Sequence, residues 1–311
     1  MSTVTVTVPA TTANLGPGFD CIGAALTLYN QFTFSLLPET TGAVVEIAIR
    51  GAEAERVSTD RNNLLYQAFL KVYHHIGQIP PNVAIEIQLG VPLARGLGSS
   101  ATAIVGGLVA ANQLAGNRLT LSEVMELAIA LEGHPDNVVP ALLGNCQLSV
   151  LSCGNRWQVC EIPWHEDIVP VVAIPNFELS TEEARAALPR QIDRSDAIFN
   201  IACMGLLLRG LETGRGDWLQ GAMEDKLHQP YRQGLIRGYQ AVKAAAISAG
   251  AGGMVISGAG PTLLALVKAA NSDSVASAMK EAWKTEAVTA EVRSLSLDTQ
   301  GAKVFKPPIQ K

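Results

Sequence analysis

A chain of 311 residues, 48% hydrophobic and 16% charged with a net charge of −5, is too long for one compact core and predicts two domains with packed interiors. No run of Lys and Arg could track a phosphate backbone, so nucleic acid is excluded as a partner, whereas a small anion needs only a few arginines and one helix end. The five cysteines form no Cys-x-x-Cys pair and their odd number fits reduced thiols, while the five histidines lack metal-ligand spacing. The shortage of charge turns much surface inward or onto a partner, and leaves a homodimer open.

Met1 to Val8 alternate polar and apolar residues, which predicts a strand and not the apolar core of a signal peptide, so a cytoplasmic location is expected. Pro9-Ala-Thr-Thr-Ala-Asn-Leu-Gly-Pro-Gly-Phe-Asp20 reads as a loop of turn residues. Apolar 21–28 and strands at 30–37 and 43–50 follow. Leu64, Leu65, Ala68, Phe69, Val72 and Ile76 recur at helical spacing over 63–76, and Gly77 with Pro80-Pro81 closes that helix. A strand at 83–89 then feeds Pro92-Leu-Ala-Arg-Gly-Leu-Gly-Ser-Ser-Ala-Thr102, which opens a helix over 99–114.

Glycines and hydroxyls at the mouth of a helix leave N–H groups free beside a positive dipole end, and such a loop attracts an anion, most often phosphate. The stretch is not a P-loop, because the Lys before the hydroxyl is missing. Alone it also fits a turn with an N-cap pair. A second helix starts at the capping box Thr120-Leu-Ser-Glu123 and runs to Leu131, with Glu126 on its first turns, before Gly133-His-Pro-Asp-Asn137 breaks it.

Strands near 145–152 and 157–162 end the first half, and 169–175 opens the second. Ser180-Thr-Glu-Glu183 is another N-cap pattern. Helices are expected at 192–211, 217–224, 235–249 and 275–285, with strands at 254–256, 262–267 and 291–295. The uncharged stretches 96–117 and 244–267 are broken by glycines, amides and Pro261, so they read as buried elements and no membrane span is expected. Ile256-Ser-Gly-Ala-Gly-Pro-Thr262 makes a glycine turn between strands.

Together, Pro9–Gly23, Pro92–Thr102 and Ser257–Leu264 resemble, in order and spacing, the three signature motifs of the GHMP small-molecule kinases. Glu132-Gly-His-Pro-Asp-Asn-Val138, Ser180-Thr-Glu-Glu-Ala-Arg185 and Leu227-His-Gln-Pro-Tyr-Arg232 are similar to the homoserine-kinase branch, over nearly the whole chain. The resemblance implies a two-lobed α+β fold: an ATP-binding lobe over 1–160 like ribosomal protein S5 domain 2, and a ferredoxin-like lobe over 161–311, with the site between them. It also implies transfer of phosphoryl from ATP, with Mg2+, to the side-chain hydroxyl of L-homoserine in threonine biosynthesis. The alternatives are another alcohol acceptor such as mevalonate, shikimate or a sugar, or a non-catalytic nucleotide- or metabolite-binding regulator.

The roles expected from chemistry and resemblance are these. Pro92, Leu93, Ala94, Arg95, Gly96, Leu97, Gly98, Ser99, Ser100, Ala101 and Thr102 bind ATP, with the N–H groups from Gly96 to Ala101 holding the triphosphate. Asn63 touches adenine and caps its helix. Ser100 and Glu126 hold Mg2+. Arg185 and Arg232 grip the acceptor carboxylate, while Asp20 takes its ammonium. Asn14 and Asn137 orient the hydroxyl. An amide cannot take its proton, so Asp136 is the rival candidate for a base.

Overall fold

The computed structural model describes residues 3–38 and 42–305; Met1 and Ser2 of the expected first strand lie outside them. β1 (Thr3–Ala13) continues through Pro9-Ala-Thr-Thr-Ala, a stretch read above as loop, and pairs antiparallel with the long β2 (Ile22–Leu36). The loop proper shrinks to 14–21. β3 (Val45–Arg50) and β4 (Val83–Gln88) run parallel, linked through α1 (Leu64–His75). α2 (Ser99–Leu114), α3 (Leu121–Glu132) and α4 (Pro135–Leu143) follow, then β5 (Cys146–Leu151) and β6 (Trp157–Ile162).

α4 has no counterpart among the expected elements. Pro135 sits in its first turn, where a missing N–H costs nothing, so the residues that stop α3 also start a new helix. Both expected capping boxes form, Thr120 with Glu123 and Ser180 with Glu183.

The second lobe contains β7 (Ile168–Pro175), α5 (Thr181–Ala186), α6 (Arg194–Thr213), α7 (Gly216–Ala222), α8 (Gln229–Arg232) and α9 (Tyr239–Ser248). β8 (Ala251–Ile256), β9 (Leu263–Lys268), α10 (Ser272–Thr285) and β10 (Ala290–Ser294) complete it. Its four strands pair antiparallel in the order β10-β7-β9-β8, the ferredoxin-like 4-1-3-2 arrangement. β11 (Lys303–Phe305) returns to the first sheet, beside β1.

One core of Val, Phe, Leu and Ala lies between the first sheet and α1 to α4. Another fills the space under β8 and α10. A third, including Leu15, Leu97, Met223 and Val255, joins the lobes and supports the loops between them. Among the described residues no helix is long and apolar enough to cross a membrane.

Candidate active site

The three glycine-bearing segments converge on a cleft of about 300 Å3 between the lobes. At one end stands α2. Gly98 is its N-cap in the left-handed region (φ +68°), and the first helical donor is Thr102 N–H, bonded to Gly98 O at 2.9 Å. The N–H groups of Ser99, Ser100 and Ala101 therefore precede the hydrogen-bond ladder and are free for a ligand. A Cβ on Gly98 would run into Thr11 Oγ1, and one on Gly96 (φ +75°) into the carbonyls of Ser257 and Gly260. These glycines let the loop lie flat against β1 and the third motif.

Within 92–102 the duties divide. Ala94, Arg95, Gly96, Gly98, Ser99 and Ser100 line the cleft. Leu97, Ala101 and Thr102 are buried inward, where Leu97 O accepts Thr11 N–H and Thr102 Oγ1 bonds Ser99 O and Asn30. Pro92 does not line the cleft, and Leu93 N–H is held by Glu53 Oε2 at 2.8 Å.

Ala94, Ser99 and Ser100 also border an adjoining apolar cavity of about 450 Å3, walled by Phe32, Val57, Leu65, Ile87 and Leu89. Asn63 is in its wall. Its Oδ1 caps α1 at Leu65 and Tyr66, and its Nδ2 donates to Ser58 O at 2.6 Å, so this side chain is spent on the turn that shapes the cavity.

The expected pairing of Ser100 with Glu126 does not form. Glu126 is exposed on α3 and absent from the cleft wall. Ser100 Oγ instead donates to Glu132 Oε2 at 3.0 Å. At ~100° per residue, Glu132 points away from Glu126 and continues the inward stripe of Met125, Ala128 and Ile129. Burial raises the Glu132 carboxyl above the ordinary range, because desolvation disfavours the charged form.

At the other end are the acceptor candidates. Asn14 and Asp20 hold left-handed backbone (φ 72° and 56°) in the 14–21 loop, strain of the kind that persists where surroundings enforce it. Asn14 Nδ2 donates to Gly258 O and its Oδ1 accepts Asp20 N–H, both at 2.9 Å, so it clips the first motif to the third. Asn137 Oδ1 accepts from Thr11 Oγ1 at 2.8 Å and its Nδ2 donates to Asp136 Oδ1 at 3.2 Å. Asp136 also pairs with His134 Nδ1 at 2.5 Å, and this partner offsets burial to raise the imidazole pKa.

Arg185 and Asp20, expected to serve opposite ends of an amino acid, bond each other through two N–H···O contacts of 3.1 and 2.8 Å. Arg232 differs: its side chain is nearly inaccessible, with 2% of the residue exposed. Nε donates to Ala184 O at 3.0 Å and Nη1 to Gly258 O at 3.3 Å. Burial and the nearby Arg185 lower its pKa to about 10. No carboxylate lies within ion-pair distance of it among the described residues, so this buried cation has only neutral partners.

Residues 63–145 match the GHMP kinases N terminal domain and residues 207–285 the GHMP kinases C terminal family. A homoserine kinase of Nostoc punctiforme is 70% identical over 305 residues, covering 98% of this chain and 99% of that protein. One of Crocosphaera subtropica is 69% identical over 304 residues, covering 98% of each. The crystal structure of homoserine kinase from Cytophaga hutchinsonii superposes with a TM-score of 0.88 at 30% identity, over 98% of both chains. L. major mevalonate kinase, solved in complex with R-mevalonate, shares the fold at 16% identity, with a TM-score of 0.68 over 97% of this chain and 95% of that one. This chain belongs to the homoserine kinases of the GHMP kinase family.

Proposed function

We propose that this chain moves the γ-phosphoryl group of ATP to the side-chain hydroxyl of L-homoserine. The observation that carries the reading is the pairing, across one cleft, of free N–H groups at the start of α2 with a buried Arg232 that lacks a carboxylate. The first suits an oligophosphate and the second an amino-acid carboxylate.

In this reading the purine occupies the apolar cavity beside α1 and the triphosphate rests on Ser99–Ala101. The first lobe serves the nucleotide and also supplies Asn14, Asp20 and Asn137 to the acceptor end, and the second contributes both arginines. Ser100 and Glu132 would hold Mg2+: a hydroxyl and a desolvated carboxylate 3.0 Å apart suit a hard cation that keeps several waters. The ion, when bound, neutralises charge on the phosphate oxygens. All five cysteines are free thiols, which fits a cytoplasmic enzyme.

Homoserine enters by opening the Asp20–Arg185 pair, whose side chains are 34% and 38% exposed; a pair so exposed contributes only up to ~1 kcal/mol, so exchanging it for the substrate's ammonium and carboxylate costs little. Asn14 and Asn137, held by the bonds described above and both lining the cleft, orient the hydroxyl through the second N–H that each Nδ2 has left. Phosphoryl transfer with a loose transition state lets that proton leave late, to phosphate or water, without a side-chain base. Labelled ATP with homoserine, serine and threonine as acceptors tests the assignment: homoserine takes label fastest, and no transfer to homoserine refutes it.

A further inference from the structure

His228, on the segment before α8, is fully buried and has no part in the chemistry above. Its Nε2 lies 2.9 Å from Gly16 O; a carbonyl only accepts, so Nε2 carries the proton and Nδ1 presents its lone pair. That lone pair faces Arg232 Nη1 at 3.4 Å. The imidazole thus ties the 14–21 loop to the buried guanidinium. Its ring also stacks on Phe19, centroids 5.1 Å apart.

Phe19 in turn lies beneath both arginines, 5.1 Å from the Arg232 guanidinium carbon and 5.8 Å from that of Arg185. The arrangement is fixed from behind. Asp225, buried, accepts the N–H groups of Leu227, His228 and Gln229 at 2.9, 2.9 and 2.6 Å. Asn200 bridges Asp225 to Pro17 O. Burial holds the imidazole pKa below its ordinary value, consistent with a neutral ring accepting from a cation.

We propose that the stacked Phe19–His228 pair is the platform that sets the pitch of Arg232 and Arg185, making these two aromatic side chains positioning residues for recognition of the acceptor's carboxylate. The inference rests on the reading that Arg232 takes that carboxylate. A guanidinium grips two oxygens only when its plane is correctly pitched, and here a ring face below and an imidazole lone pair at one edge set the pitch together with the carbonyls of Ala184 and Gly258.

His228→Phe keeps the ring stack and removes both nitrogens. It should lower kcat/KM for homoserine about tenfold through KM, with the KM for ATP and the kcat at saturation within about twofold of wild type. His228→Gln, which again offers one donor and one acceptor, should recover most of the loss. In an Arg232→Ala background the same His228→Phe change should cost less than about twofold, because a residue acting through another adds nothing once that other is gone. Phe19→Leu should likewise raise the KM for homoserine and leave that for ATP unchanged, and it decides the matter if His228→Phe does not fold; because Phe19 also underlies Arg185, its loss should shrink but not vanish in the Arg232→Ala background. Equal losses in both backgrounds, a parallel rise in the KM for ATP, or unchanged homoserine kinetics would overturn the platform. If Arg232→Ala itself leaves kcat/KM for homoserine intact, the carboxylate reading falls instead.

Discussion

The two ends of the cleft are made in different ways. The α2 end is built from main chain: Gly96 and Gly98 in left-handed backbone, and N–H groups of a helix start. The acceptor end is built from side chains delivered by the 14–21 loop, α4, α5 and α8, namely Asp20, Asn137, Arg185 and Arg232. A main-chain site carries no side-chain entropy to lose, and at Gly96 and Gly98 it tolerates no Cβ. A side-chain site can be pre-paired internally, as Asp20 and Arg185 are, and so is stable when empty yet open to exchange.

The largest effect should come where the ends meet. Glu132→Ala should lower kcat by about 100-fold or more, since several kcal/mol of charge stabilisation vanish and each ~1.4 kcal/mol is a factor of ten, whereas Glu126→Ala should stay within about twofold. Steady-state kinetics with both variants decides between the carboxylates. On the acceptor side, Arg232→Ala should raise the KM for homoserine by about 100-fold, as loss of a buried charge partner costs ~2–5 kcal/mol, with the KM for ATP as internal control.

On the main-chain side, Gly98→Val forces a β-branched residue into φ +68° against Thr11, and the KM for ATP should rise about tenfold or more, from ~1–3 kcal/mol of strain and displaced amides. An unchanged value would remove this loop from the nucleotide site. Thr11→Val removes the donor that fixes Asn137 Oδ1 and should lower kcat about fivefold, the worth of one ~1 kcal/mol hydrogen bond. Smallest of all, Asp136→Asn should keep kcat within about threefold, where a general base would contribute 10²–10⁴-fold, roughly, by comparison; complete loss with intact binding would make Asp136 the base.

The same division governs what could be read from the residues alone. α2 spans 99–114 and β6 157–162 as their patterns predict, because apolar periodicity and glycine punctuation are local. α4 was hidden because Gly133-His-Pro is at once a stop and a start. The choice between Glu126 and Glu132 needed the facing of α3; the stripe Met125, Ala128, Ile129, Glu132 at spacing i, i+3, i+4, i+7 was the available signal. The Asp20–Arg185 pair and the contact of His228 with Gly16 join residues 165 and 212 positions apart, and no local pattern encodes such a meeting.

A crystal structure of this chain with a non-hydrolysable ATP analogue, Mg2+ and L-homoserine tests the account most directly. The expected result has phosphate oxygens on the amides of Ser99–Ala101, metal between Ser100 and Glu132, and the homoserine carboxylate on Arg232. Phosphates bound away from the start of α2, or homoserine reversed with its ammonium toward Arg232, would contradict it.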